Sequence, residues 1–199
     1  MWSFLAFALD ALAIAAQALG IGTVYQEVNL LENLTVAENL FLGRQPHRFG
    51  MIDRASMQKQ SQALLTQYGL AIDVTALLSS YSVAIRQIIA IARAVDLSGK
   101  VLVLDEPFGA LDAFTREELW CALRDIQAAR GVTVMLVTHD LREAVFLADT
   151  VYVMSRRPGR IVLSKKIDIP RPRTLATTFE PHFVDIVHEL RDRIHQEHS

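Results

Sequence analysis

The sequence predicts an α/β fold with a parallel sheet, and three features predict it. Val101–Leu104 (VLVL) and Val132–Val137 (VTVMLV) are short apolar runs rich in branched residues, which suits strands buried on both faces. Between them, residues 113–129 read as a helix, and another helix follows the second run. Strands alternating with helices build βαβ units, whose strands are parallel. The 199 residues and a hydrophobic content of 51% suit about one domain with an ample core. A net charge of -2 gives no electrostatic reason to expect nucleic acid. The single cysteine, Cys121, excludes an intrachain disulfide and fits a reducing compartment.

The elements follow in chain order. Met1–Leu19 is almost wholly apolar and close to the roughly 20 residues that span a bilayer, with Asp10 at its middle. It lacks the positive flank and cleavage site of a signal peptide. A short strand is expected around Val24, followed by a polar loop. Thr35 and Glu38 form a capping-box pattern that opens a short helix to about Leu42. Gly43–Gly50 reads as a loop. Arg54 to about Tyr68 reads as an amphipathic helix ended by Gly69. Ser82 is the expected cap of a helix over Val83–Val95, with Val83, Ile85, Ile88, Ile89, Ala92 and Val95 as its buried side. Asp112 caps the helix after the first apolar run, and Gly131 ends it. Asp140 caps a helix over Leu141–Leu147. Val151–Met154 and Ile161–Leu163 read as strands joined through a turn holding Arg156, Arg157 and Arg160. Pro170 and Pro172 mark a linker, and His182–His195 is a last helix.

The chemistry concentrates where the first apolar run ends. Asp105 and Glu106 are adjacent carboxylates at the edge of a buried strand, and Pro107 stops that strand. At the carboxyl edge of a parallel sheet, one acid can hold Mg²⁺ and the next can polarise an attacking water. The second run delivers Thr138, His139 and Asp140 to the same kind of edge.

VLVLDEPFGALD resembles the Walker B motif and D-loop of ABC-transporter ATPases, and Thr138-His139-Asp140 resembles their H-loop. From Val24 to about Leu104 the chain is similar to sugar-uptake ABC proteins, through YQEVNLLENLTVAENLFLGR and YSVAIRQIIAIARAVDLSGKVLVLDEP. From about Phe108 onward it resembles nitrate/sulfonate/taurine-type importers, through FGALDAFTREELW and LVTHDLREAVFLADTVYVMSRRPGRIV. Met1–Leu19 resembles a helix of MATE-type exporters; the alternative is an apolar segment foreign to the domain. The resemblance implies an ABC-type P-loop NTPase fold with a helical subdomain behind an apolar helix. It divides the chain into residues 1–20, a Q-loop and helical subdomain over 21–97, an α/β core over 98–168, and a linker with a helix over 169–199.

The same resemblance implies the site. Asp105 is the Mg²⁺-associated acid, Glu106 the general base and His139 the switch histidine at the γ-phosphate. Gln26 falls at the Q-loop glutamine, and Ser82 at the one matching position of a degenerate signature. Val83 and Ala84 stand where that signature has glycines. Ser82 serves either as signature residue or as a plain cap; Asp112 serves either as D-loop acid or as a plain cap. ATP and Mg²⁺ are the implied cofactors. A permease subunit and a second ATPase subunit, arranged head to tail, are the implied partners on the cytoplasmic face of a membrane.

The 199 residues contain no G-x-x-x-x-G-K-[ST]. Of the four lysines only Lys100 follows a glycine, and Val101 comes next. A phosphate loop's backbone amides and lysine cradle the phosphates. The expectation is therefore an incomplete P-loop fold, inactive as an ATPase by itself. The rival expectations are a non-catalytic interaction module and a nonfunctional hybrid.

Overall fold

The computed structural model describes residues 21–24, 30–98, 100–109, 111–156 and 159–198. Met1–Leu19 and Gln26 lie outside them. The described chain is a mixture of helices and strands that includes a parallel strand pairing, as the strand-helix alternation predicts. It divides into two units, residues 1–135 and 136–199.

In the first unit, β1 (Ile21–Val24) pairs in parallel with β4 (Val101–Asp105), Ile21 opposite Val101 and Val24 opposite Leu104. The sheet order is β1-β4-β5, with β5 at Thr133–Val137. Leu102 and Leu104 of β4 are fully buried. β5 differs from expectation. Its apolar run is not covered on both faces, because Met135 and Val137 are exposed. An apolar run specifies a strand, but not how many of its faces are covered.

The helical part comes between β1 and β4. α1 (Val36–Leu40) carries the expected capping box: the Glu38 amide donates to Thr35 Oγ1 at 3.2 Å, and the Thr35 amide donates to Glu38 Oε2 at 2.9 Å. The buried Asn39 amide stitches the preceding loop, donating to the Leu31 carbonyl and accepting from the Leu31 amide. Residues 43–50, read as a loop, instead open a hairpin of β2 (His47–Arg48) and β3 (Met51–Ile52). α2 (Arg54–Gln67) is capped by Asp53, and Gly69 follows it at φ +73°.

α3 (Val83–Ser98) buries Ile89, Ala90, Ile91, Ala92, Ala94 and Val95. Val83 is exposed, so the buried side lies further along the helix than expected. α4 (Ala113–Arg130) buries Leu119, Trp120, Leu123 and Ile126 and ends at left-handed Gly131. Asp96 of α3 joins three segments, bonding Arg44 and Arg130 at 2.6 Å each. Arg130 also donates to the Tyr68 hydroxyl at 2.7 Å.

In the second unit, Asp140 caps α5 (Leu141–Leu147) as expected, accepting from the Arg142 and Glu143 amides. β6 (Thr150–Met154) and β7 (Ile161–Lys166) form the antiparallel pair. α6 (Pro181–His198) buries Phe183, Ile186 and Leu190, while Val184 is exposed. Pro170 and Pro172 are exposed, while Ile169 and Arg173 on either side of them are buried. No helix among the described residues is long and apolar enough to cross a membrane.

Candidate functional site

The first unit's acids sit on a turn held from three sides. Asp105 is the last residue of β4 and is exposed; Glu106 is half-buried at φ +44°. Left-handed backbone costs a residue with a Cβ about 1–2 kcal/mol, and such conformers persist only when their surroundings over-determine them. The surroundings here are specific. Pro107 is buried and Phe108 almost wholly so. The Gly109 amide donates to the Glu106 carbonyl at 3.2 Å, closing the turn. Buried Gln87 donates from Nε2 to the Pro107 carbonyl at 2.7 Å.

Gln87 lies on the first turns of α3, so it joins the Ser82 end of that helix to the acid turn. Sequence reasoning missed it. The available signal was an amide side chain inside an otherwise apolar helical run. Ser82 is exposed, and its hydroxyl accepts from the Ile85 amide at 3.4 Å, a long cap. Asp112 caps α4, accepting from the Phe114 and Thr115 amides at 3.1 Å each. The Thr115 hydrogen bonds foremost hold its carboxyl below the usual carboxylate range.

The donor set fits Mg²⁺ in the way that ion is usually bound. Mg²⁺ takes one or two carboxylates and fills its remaining positions with water and phosphate oxygens. Asp105 and Glu106 supply that number. Among the described residues no group of three or more His, Cys, Asp and Glu could hold a metal ion, so an all-protein cage is not what these residues offer.

The family model described as ABC transporter matches residues 9–109, which include the β1–β4 pairing, the helical part and the acid turn. The chain belongs to the ABC transporter family. Among relatives of this ABC protein, the galactofuranose transporter ATP-binding protein of Escherichia coli K12 is 50% identical over 139 residues, covering 70% of this chain and 28% of that protein. A ribose import ATP-binding protein of Rubrobacter xylanophilus is 41% identical over 150 residues, covering 75% of this chain and 30% of that protein. A putative ribose/galactose/methyl galactoside import ATP-binding protein of Agrobacterium fabrum is 37% identical over 147 residues, 74% of this chain and 29% of its own length. The ABC chain thus spans less than a third of the length of these relatives.

His139 belongs to the second unit. It is exposed in the bend between β5 and α5. Its neighbours shape that bend: the Asp140 amide donates to Thr138 Oγ1 at 3.0 Å, and Asp140 then caps α5. The structure therefore brings Ser82, Asp105, Glu106 and Asp112 onto linked elements of one unit, and sets His139 at a strand-to-helix bend of the other.

Proposed function

We propose that this chain is part of the ATP-binding subunit of an ABC-type sugar importer and supplies the side of the site that activates water. The observation that carries this is the acid turn: two adjacent carboxylates at the end of a parallel strand, fixed by the Gln87–Pro107 hydrogen bond. The names of the relatives support a sugar as the solute.

In this reading Asp105 holds Mg²⁺ and Glu106 accepts a proton from the attacking water. The ion, when bound, neutralises charge on the phosphates. His139 donates to the γ-phosphate, and Gln26 reports the nucleotide state to a permease. Ser82, at the start of α3, faces the nucleotide of a second ATPase subunit arranged head to tail, and Asp112 meets that subunit. Such an assembly sits on the cytoplasmic face of a membrane, peripheral to it.

Phosphoryl transfer depends on gripping the phosphates as much as on activating water. A polypeptide of these 199 residues carries no phosphate-loop motif and releases no phosphate above its Glu106→Gln control. Activity that disappears in the control would refute that statement. Capture of a sugar-importer permease by the immobilised chain, with and without MgATP, tests the assembly. Failure of capture under both conditions refutes the importer reading.

A further inference from the structure

We propose that the β2–β3 hairpin is a lipid-contact tip that docks directly onto an anionic membrane surface. The inference goes beyond the importer reading, which requires contact with a permease but none with lipid.

The hairpin joins Arg48 and Met51, which face each other across it, through the two-residue loop Phe49-Gly50. Both loop residues have positive φ, 52° for Phe49 and 80° for Gly50. That is the pattern of a type I′ turn, whose first position favours Asn, Asp or Gly. A bulky aromatic there is strained. The strain serves no packing purpose, because Phe49 is 90% exposed. Met51 and Ile52 beside it are 71% and 48% exposed. Phe49 at the turn, with Met51 and Ile52 exposed on opposite faces of the strand beside it, leaves apolar surface at the hairpin end of the kind that marks an interaction site.

The charge around the tip selects the partner. The chain as a whole carries -2, yet residues 43–60 hold Arg44, Arg48, Arg54 and Lys59 against Asp53 alone. Arg44 is occupied by Asp96. Arg48, Arg54 and Lys59 are exposed, and the Arg48 guanidinium lies 5.4 Å from the centroid of the Phe49 ring. Arg48 beside an exposed ring, with Lys59 and Arg54 (which also faces Glu38) exposed on the helix that follows, matches a bilayer surface, where anionic headgroups attract the cations and the interface accepts the ring.

The test is sedimentation of the 199-residue chain with protein-free vesicles of phosphatidylcholine, with and without phosphatidylglycerol. Phe49→Asn suits the turn and leaves the fold at least as stable. It should nevertheless cut partitioning to anionic vesicles about tenfold. Arg48→Glu should also weaken it, and the exposed Phe179→Ser control, far along the chain, should not. In a Trp2→Phe background, Phe49→Trp should add quenching by brominated acyl chains that the same background without it lacks, which separates this tip from the apolar residues 1–19 as the source of binding. Phe49→Asn binding like the parent, absence of quenching, or equal binding to neutral vesicles overturns the proposal. So does capture of a permease that needs Phe49 while vesicles are ignored, which would assign the tip to a protein surface. Loss of permease capture with vesicle binding intact would strike the importer reading alone.

Discussion

Gln87 spans 20 residues of sequence to place its amide 2.7 Å from the Pro107 carbonyl, and both partners are buried. A buried carbonyl left without its donor costs about 1–3 kcal/mol. Gln87→Leu should therefore lower the unfolding free energy by about that amount, read as a lower urea midpoint with an unchanged slope. Gln87→Glu should cost more, since it places a carboxylate beside a carbonyl oxygen. If both variants unfold at the parent midpoint, the bond does not hold the acid turn.

Glu106 holds a left-handed backbone in the acid turn. Its φ of +44° is one that glycine adopts freely. Glu106→Gly should unfold at an equal or higher temperature than Glu106→Ala, by about 1 kcal/mol in stability. A glycine variant less stable than the alanine variant would mean that the left-handed turn is not strained.

Arg173 carries the second unit in a comparable way. Its guanidinium is buried and donates to the carbonyls of Val145, Phe146, Ala148 and Ile169 at 2.7–3.1 Å. The first three end α5, where carbonyls lack helical partners and a cation is favoured. Burial lowers the Arg173 pKa, so the four acceptors matter all the more. Arg173→Met should cost about 3 kcal/mol, and Arg173→Lys should recover little because it lacks the planar fork. Thermal unfolding of the two variants measures this; full recovery by lysine would show that charge alone suffices.

What could be read from sequence was local. The Thr35–Glu38 box and the Asp112 and Asp140 caps satisfy amides within three residues, so their patterns carry their own geometry. The β4 acids were visible because an apolar run, two carboxylates and a proline are contiguous. Contacts made across the fold could not be read in this way. Gln87 finds its acceptor on another element, and Arg173 lies among prolines that read as a linker. The β2–β3 hairpin escaped because its strands are two residues long and exposed, which leaves no periodicity. Phe49 occupies the turn position where Asn or Gly would have announced the hairpin.

Cys121 tests whether α4 is packed as described. Burial, above all, pushes its thiol pKa up, opposed in part by Arg124. The thiolate is the reactive form. Alkylation at neutral pH should be slow in the folded chain and rise sharply in denaturant. Rapid alkylation without denaturant would contradict that packing.

The capping box makes the stability of the helical part depend on pH. The Thr35 amide, first, and its hydroxyl hold the Glu38 carboxyl below its ordinary range. A carboxylate with a lowered folded pKa stabilises the fold above its unfolded pKa, near 4.3. That contribution is lost as pH falls through the lower folded value. Glu38→Gln cannot ionise. The stability gap between parent and Glu38→Gln should thus be widest near neutral pH and shrink steadily on acidification below about pH 4. Asp112 and Asp73, also held low by hydrogen bonds, titrate in both proteins and cancel in the difference. Urea midpoints for the pair at several pH values measure the gap. A gap that stays constant down to strong acid would mean that the ionised Glu38 does not cap the chain at Thr35.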